Sequence, residues 1–346
     1  MRRPARDERV QAGTPDHDKN AGIENFRMKK KRAQAVDGDP SPDPFKASTA
    51  KEGLIIAHHG VAVEVLSIDG TRSLVRVKRR SGHVVGDRVE VIGEVLRRLD
   101  RRTVLRRRDA RGSVHLVGAN LDVLGIVVAH LPKPPPGFID RAIVAARAED
   151  LQPFLIINKC DLEGSAGFVL TVRSAYDATI PVFPLSAAAM TGLGPLRDFL
   201  GKGHRGAFVG TTGVGKSSLL NALCPDIDLK VGQVNEDSGR GRHTTTVSTL
   251  HTLSTGGELI DTPGFQDFGL VDISAQDLAL HFPGFEQAGY GTCRFRDCRH
   301  RTEPGCAVLD LVSKNDIARE RYTAYLELLD EVEADEARLR RTEWKK

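Results

Sequence analysis

The sequence predicts a multi-domain protein: a small N-terminal β-barrel, a central α/β domain and a small C-terminal unit that combines a cysteine/histidine cluster with helices. Three observations support this prediction. Short β-branched runs broken by turn residues fill residues 51–112, and apolar runs alternate with helical patterns over residues 113–274. Three of the five cysteines then fall close to a histidine within residues 275–346. These patterns are typical of small barrels, of sheets covered by helices and of structural metal sites.

Residues 1–50 precede these domains and are rich in charge, proline and glycine, without apolar periodicity. Such a composition buries too little apolar surface to fold, so we expect a disordered basic tail. No apolar run reaches the roughly 18 residues of a membrane span, and the first residues lack the apolar core of a secretion signal. The odd cysteine count argues against a disulfide framework. We therefore expect a cytoplasmic monomer that has no membrane partner.

The barrel segment, residues 51–112, is strongly basic. Residues 72–111 contain 14 Lys/Arg against five Asp/Glu, which favours a polyanion such as RNA or DNA as partner. A five-stranded oligonucleotide-binding (OB) barrel fits the length and the basic strand faces, and an SH3-like barrel is the alternative. The segment has no Phe, Tyr or Trp, so backbone or shape recognition is favoured over base stacking.

The central segment, residues 113–274, alternates strand and helix patterns, which predicts a mainly parallel sheet covered by helices. The expected strands are residues 121–129, 154–158, 182–186, 207–210, 249–253 and 258–262. Helical patterns lie between several of them, at residues 139–149 and 216–223 among others.

A phosphate-binding loop is predicted where GTTGVGKSS follows a strand pattern and opens a helix pattern. Glycines let backbone N–H groups approach phosphate oxygens, and the helix N-terminus adds its dipole. Lys216 is expected to reach the β- and γ-phosphates, and Ser217 to ligate Mg²⁺. The loop residues are Gly210, Thr211, Thr212, Gly213, Val214, Gly215, Lys216, Ser217 and Ser218.

Guanine recognition is predicted from NKCD, which ends the strand pattern at Asn158. The Asp161 carboxylate can accept hydrogen bonds from guanine N1–H and the 2-amino group, a donor pair that adenine lacks. The stem of Lys159 can pack over the base. A Ser186-Ala187 pair follows the next strand pattern, where a backbone N–H could meet guanine O6. GTP and GDP are therefore the expected ligands.

A second Mg²⁺- and phosphate-sensing segment is predicted at DTPG. The Asp261 carboxylate can hold Mg²⁺ through water, and the Gly264 N–H can sense a γ-phosphate. Between the two phosphate motifs lies a loop, residues 232–246, in which one threonine can close onto Mg²⁺ when GTP is bound. Thr244, Thr245 and Thr246 compete for that role.

The water-orienting residue must come from another part of the chain, because Phe265 stands where Ras-type GTPases place a glutamine. Phenylalanine cannot orient water by hydrogen bonding. Our hypothesis is that His243, a titratable donor and acceptor in the loop before the threonines, orients the attacking water.

A structural zinc site is predicted from Cys293, Cys298, His300 and Cys306. Three thiolates and one imidazole satisfy tetrahedral Zn²⁺ without an open position. Reduced core cysteines are the alternative, and they are the expected role of Cys160 and Cys224, which have no such partners. Arginines near the ligands make this unit basic and able to meet RNA phosphates, namely Arg294, Arg296, Arg299 and Arg301.

The guanine motif comes before the phosphate loop in this chain, and that motif order resembles the circularly permuted GTPases. The basic barrel, GRGRHTTT, DTPGF and the C-x4-C-x-H-x5-C spacing together resemble the RsgA (YjeQ) family, over about residues 51–330. The resemblance implies an OB domain, GTPase activity stimulated by the small (30S) ribosomal subunit, contact with its rRNA, and action late in that subunit's maturation. It also implies that Thr245 is the Mg²⁺-binding switch threonine and supports His243 as catalytic. The implied divisions are a tail (1–50), an OB barrel (51–112), a permuted GTPase domain (113–274) and a zinc-binding domain with a C-terminal helix (275–346).

Two other function classes compete with a ribosome-dependent GTPase. One is an RNA-binding assembly module with a degenerate nucleotide site, which the intact Lys216, Asp161 and Asp261 argue against. The other is a signalling or transport GTPase, which the basic barrel and basic zinc unit argue against.

Overall fold

The computed structural model describes residues 50–78, 80–93, 95–108, 112–225, 247–261, 270–289 and 291–343. The predicted tail lies outside these ranges, except for its last residue. The strands are β1 Lys51–His58, β2 Ala62–Ser67, β3 Arg72–Arg76, β4 Arg88–Ile92, β5 Val95–Arg98, β6 Val104–Arg108, β7 Val114–Ala119, β8 Val123–Ala129, β9 Gln152–Asn158, β10 Val182–Pro184, β11 Arg205–Val209, β12 Ser248–Thr252 and β13 Glu258–Asp261. The helices are α1 Phe138–Ala148, α2 Ser165–Tyr176, α3 Leu193–Leu200, α4 Lys216–Leu223, α5 Leu278–His281, α6 Ala307–Ser313 and α7 Arg319–Glu343.

The first five strands form the small N-terminal barrel. They pair antiparallel in the order β3-β2-β1-β4-β5. Alternate apolar residues close its interior, namely Ile55, Val63, Val65, Val75 and Val89. No pairing joins β3 to β5 in the part of the chain that the structure describes, so these strands form a partly open barrel, as an OB fold allows.

The hairpin of β6 and β7 follows the barrel and spans the expected boundary at residue 112. Asn120, directly after β7, has a positive φ of 56° and is buried. Its side chain accepts from the Arg102 N–H at 2.9 Å and donates to the Gly86 carbonyl at 2.8 Å. One asparagine therefore joins the hairpin, the barrel and the start of the central sheet.

The central sheet is mainly parallel, as the alternating pattern predicts. Strands run in the order β10-β9-β8-β11-β13, all parallel, and β12 adds an antiparallel strand. Strand β8 is buried along its whole length, which explains its continuous apolar sequence. Helices α1 and α2 cover one face of the sheet, and α3 and α4 cover the other. The predicted α/β domain is confirmed.

The C-terminal unit is built from α5, a single 3₁₀ turn at Phe285–Ala288, α6 and the long α7. Its core forms around the fully buried rings of Phe282 and Tyr325. Helix α7 also packs against α1 of the central domain, where Arg141 forms a bidentate ion pair with Glu331. Among the described helices, none combines the length and apolar character that a bilayer crossing requires.

Candidate nucleotide site and metal centre

The predicted nucleotide-binding segments meet at one edge of the central sheet. Strands β9, β10, β11 and β13 are parallel, and each ends at or just before one of the motifs. NKCD begins at the end of β9, Ser186-Ala187 follows β10, the phosphate loop follows β11, and β13 ends on Asp261. Ligands bind at this carboxyl edge in open α/β sheets.

The phosphate loop has the backbone that its glycines allow. Gly213 and Gly215 have φ values of 82° and 94°, which L side chains rarely adopt. A Cβ at Gly215 would lie 2.4 Å from the Asn158 amide nitrogen, and one at Gly210 would lie 2.5 Å from the Val127 carbonyl oxygen. The loop can keep this path against β8 and β9 only with glycine at those positions.

Lys216 extends back over the phosphate loop. Its Nζ donates to the Gly210 carbonyl at 2.6 Å and to the Thr211 carbonyl at 3.1 Å. Burial lowers the pKa of Lys216 to about 8, although the charge of Asp261 opposes that shift. Burial likewise raises the pKa of Asp261, and the Lys216 charge opposes it. The Lys216 ammonium and the Asp261 carboxylate therefore attract each other electrostatically.

Asn158 connects three of the motifs. Its Nδ2 donates to the Val214 carbonyl in the phosphate loop at 2.9 Å, and its Oδ1 accepts from the Ala187 N–H at 3.0 Å. The residue is 2% exposed, so both bonds are shielded from water. The guanine-reading segment, the Ser-Ala segment and the phosphate loop are thus held in one fixed arrangement.

The other residues predicted to read guanine differ in their exposure. Lys159 has a positive φ of 61°, and its Nζ donates to the Leu131 carbonyl at 3.0 Å. Asp161 is exposed, so its carboxylate is accessible to a base. Ser186 is fully buried, and its hydroxyl accepts from the Ala189 N–H at 3.0 Å, which shapes the turn after β10.

The site residues fit a guanine nucleotide with Mg²⁺. The Thr211 hydroxyl oxygen is buried in the phosphate loop without a hydrogen-bond partner, and the loop backbone leaves no room for Cβ atoms at two positions. Lys216, exposed Ser217 and half-buried Asp261 supply one cation and two oxygen ligands of the kind that Mg²⁺ and phosphate need. His243, Thr244, Thr245, Thr246 and Gly264 lie outside the described residues.

The four predicted metal ligands converge in the C-terminal unit. The Sγ atoms of Cys293, Cys298 and Cys306 and the Nδ1 of His300 all lie within 4.8 Å of one another. His300 Nδ1 is 3.6, 3.5 and 3.2 Å from the three sulfur atoms in that order. Zinc–sulfur bonds of about 2.3 Å in a tetrahedron fit such a spacing. This donor set suits Zn²⁺ better than a harder cation, because sulfur is a soft ligand.

Two features of this unit had no signal in the sequence. The Glu303 carboxylate accepts the backbone N–H groups of Arg299 and Arg301, both at 2.7 Å, and that of Thr302 at 3.0 Å. Burial alone would raise the pKa of Glu303, but these N–H donors outweigh it and lower that pKa. Tyr322 donates its hydroxyl to the His300 carbonyl at 2.7 Å. Helix α7 and Glu303 thus hold the loop that presents His300.

The four arginines near the predicted metal ligands fall into two pairs. Arg301 forms ion pairs with Asp330 and Glu333 of α7, and Arg299 lies 3.8 Å from Glu333. Arg294 and Arg296 are exposed, and Arg294 lies over the Phe295 ring. Arg299 and Arg301 therefore lie beside carboxylates of α7, whereas Arg294 and Arg296 remain exposed. Contact of these four arginines with RNA stays a prediction.

Both the sequence and the fold of this chain are similar to those of known proteins. The family model for the RsgA GTPase matches residues 98–271. The chain is 39% identical over 330 residues to the small ribosomal subunit biogenesis GTPase RsgA of Pseudomonas fluorescens (strain SBW25). The matched region covers 90% of this chain and 94% of that protein. The RsgA protein of Azotobacter vinelandii is 39% identical over 321 residues, covering 88% and 91% of the two chains.

Two solved structures share the fold. The crystal structure of YjeQ from Thermotoga maritima matches with a TM-score of 0.65 and 29% identity, covering 82% of this chain and 98% of that chain. YloQ, described as a circularly permuted GTPase, matches with a TM-score of 0.62 and 25% identity, covering 85% and 99%. The description of YloQ as circularly permuted agrees with the order in this chain, where the guanine motif precedes the phosphate loop.

Proposed function

Because this chain belongs to the RsgA GTPase family and is a GTP-hydrolysing enzyme, we propose that it hydrolyses GTP on the small ribosomal subunit, late in that subunit's maturation. The observation that supports the nucleotide chemistry best is the double hydrogen bond of Asn158, which joins the guanine motif to the phosphate loop. The relatives' names supply the ribosomal partner. The proposed compartment is the cytoplasm, and the proposed form is a monomer.

Phosphate positioning and charge stabilisation are the proposed basis of catalysis. Asp161 and Lys159 hold guanine, and Lys216 with the loop N–H groups holds the β- and γ-phosphates. Mg²⁺, when bound, neutralises charge between those phosphates, and Ser217, Thr245 and Asp261 are its proposed protein partners. Gly264 is proposed to sense the γ-phosphate through its N–H.

His243 is the proposed water-orienting residue. Replacement of His243 by alanine should lower kcat in the presence of small subunits and leave GDP affinity unchanged, since the histidine acts on the attacking water. An unchanged stimulated rate in that variant would remove His243 from the mechanism.

Exposed cations on the barrel are the proposed RNA contacts. Arg76, Lys78 and Arg80 follow one another at the end of β3, all exposed, and within the described ranges none of them has an ion pair. Other barrel arginines are partly neutralised, such as Arg97 by Glu90. Charge reversal at Lys78 should weaken subunit binding and reduce its salt dependence, because phosphate contacts release counterions. Lys51→Glu, where the lysine already pairs with Asp69, is the matched control.

The deciding experiment is a GTP turnover assay with and without purified small ribosomal subunits. Slow hydrolysis alone and faster hydrolysis with small subunits, but not with large subunits, is the expected result. Equal rates under all three conditions would overturn the ribosomal assignment, and no turnover under any condition would point to an RNA-binding module with a degenerate site.

A further inference from the structure

The barrel and the nucleotide site share one continuous sheet. Strand β1 belongs to the barrel through β2 and β4, yet its last residues also pair with β12 of the central domain. The two residue pairs are Ala57 with Thr249 and His58 with Ser248. The pairing with β2 shifts register between Ile55 and Ala57, an irregularity typical of a bulge that redirects a strand. This shift lies directly before the residues that pair with the central domain.

The pairing continues to the proposed Mg²⁺ ligand. Thr249 pairs with Asp261 on its other side, so Ala57, Thr249 and Asp261 form one row across three antiparallel strands. Opposed residues in antiparallel pairs have their side chains on the same face. Two such steps place the Cα atoms of Ala57 and Asp261 roughly 10 Å apart. Ala57 is 4% exposed, so the row is buried where it enters the barrel.

A second contact fixes the barrel against the same strand. Gly86, in the turn before β4, donates its N–H to the Ile55 carbonyl and accepts from the Asn120 side chain. A Cβ at Gly86 would lie 2.1 Å from the Ala119 carbonyl oxygen and 3.3 Å from the Cδ1 of Ile260. Ile260 directly precedes Asp261, so the barrel turn packs against the strand that carries the carboxylate.

We infer that strand β1 and the Gly86 turn of the barrel are positioning elements of the GTPase site, which set the place of Asp261 through β12 and β13. This inference rests on the proposed role of Asp261 toward Mg²⁺. It assigns the barrel a function besides RNA contact, because a partner that shifts the barrel also shifts the row that ends on Asp261. Ala57 and Gly86 act through Asp261 and do not touch the nucleotide.

Hydrogen exchange in the full-length wild-type chain tests the inference directly. Binding of a non-hydrolysable GTP analogue with Mg²⁺ should slow exchange in peptides from the end of β1 as well as in β12 and β13, since the row is continuous. Exchange in β3, on the far side of the barrel, should not change. Protection of β12 and β13 without any change in β1 would overturn the inference, while absence of protection anywhere would instead contradict the proposed nucleotide site.

Kinetics of two matched glycine variants give the second test. Gly86→Ala forces a clash at a φ of 90°, whereas Gly70→Ala meets a similar φ of 80° with open space around it. Gly86→Ala should raise the Mg²⁺ concentration for half-maximal GTP hydrolysis about tenfold, because a displacement near 1 Å at a catalytic group is costly. Gly70→Ala should match the wild type.

The affinity for GDP without Mg²⁺ should be equal in the wild type and both variants. Equal affinities would show that the variants are folded, so that a change in the Mg²⁺ midpoint reports the position of Asp261. A loss of active protein lowers the maximal rate but does not move the Mg²⁺ midpoint. An identical midpoint in Gly86→Ala and Gly70→Ala would overturn the inference. If Gly86→Ala does not fold, the wild-type exchange experiment decides.

Discussion

Asn158 donates a hydrogen bond from its side-chain amide to the carbonyl of Val214, 56 positions further along the chain, at 2.9 Å. In an unpermuted chain the phosphate loop would precede the guanine motif, so the acceptor of this hydrogen bond would come before its donor in the sequence. The contact is therefore a property of the assembled sheet edge, independent of the order in which the chain reaches it. Chain termini that lie close together allow such permutation without loss of the site.

Replacement of Asn158 by alanine should weaken GTP and GDP binding alike. It leaves the Val214 carbonyl and the Ala187 N–H buried without partners, each at a cost of about 1–3 kcal/mol, and releases the phosphate loop from the guanine segment. We expect a loss of roughly 10–100-fold in both affinities, measured by equilibrium titration.

Two further variants make the Asn158 result specific. Thr171→Ala removes an exposed hydroxyl on α2 and should leave both affinities unchanged. Asp161→Asn should lower the affinity for guanine nucleotides and raise the affinity for xanthine nucleotides, since the amide can donate to the xanthine 2-oxygen. Wild-type affinity in Asn158→Ala would contradict the bridging role.

Nucleotide binding should take up a proton above neutral pH. Burial lowers the pKa of Lys216 to about 8 in the free protein, and bound phosphates favour the charged ammonium and raise that pKa. Affinity should therefore be constant below pH 8 and fall as the pH rises above it, by up to tenfold per unit. Calorimetric titrations between pH 7 and 9, in buffers of different ionisation enthalpy, measure the proton uptake.

Arginine at position 216 provides the control for this proton uptake. A guanidinium stays charged throughout the range, so Lys216→Arg should bind, at whatever affinity, without the buffer-dependent enthalpy. Equal proton uptake in the wild type and Lys216→Arg would assign the titration to another group.

Stability should depend on pH through Asp140, where α1, α2 and α7 meet. Burial raises the pKa of Asp140 to about 6, against the opposing effects of Arg321 and of the Tyr176 hydroxyl, which donates to it at 3.0 Å. Since the folded-state pKa lies above the ordinary aspartate pKa of 3.8, the folded chain binds the proton more tightly. This contribution is fully present below pH 3.8 and is lost as the pH rises through about 6, at most about 3 kcal/mol.

Urea unfolding of the wild type and Asp140→Asn between pH 4 and 7.5 measures this contribution. The difference in unfolding free energy between the two proteins should change over that range and then level off above pH 7. Asp177→Asn, which removes an exposed carboxylate from the same region, should follow the wild type. A pH-independent difference for Asp140→Asn would show that its carboxyl titrates normally.

Zinc removal should loosen the C-terminal unit selectively. Burial raises the pKa of the Cys298 thiol to about 12 without a cation, so the thiolate form depends on a bound metal and folding of the loop is coupled to binding. We expect one Zn²⁺ per chain, lost in Cys306→Ser, with faster hydrogen exchange in α6 and the first turns of α7. Cys224→Ala, which alters a cysteine of the central domain, should retain the metal. Unchanged zinc content in Cys306→Ser would rule out this ligand set.

Residue types and their spacing along the chain predict the chemistry of this protein. The phosphate loop, the guanine motif and the zinc ligands are short patterns whose residue types predict what they bind, and the alternation of apolar runs predicts the sheet that gathers them. The C-terminal helix and the strands of the central domain follow the predicted order, because strand and helix periodicity is a local property of the chain.

The way in which these parts are joined depends on tertiary contacts. Three contacts each connect residues far apart in sequence: the pairing of Ala57 with Thr249, the hydrogen bond from Asn120 to Gly86, and the ion pairs between Arg301 and α7. No local periodicity encodes such contacts, since they depend on which faces meet after the domains have folded. For that reason the sequence predicted a barrel beside a GTPase, whereas the fold places the barrel's first strand in the same sheet as the GTPase site.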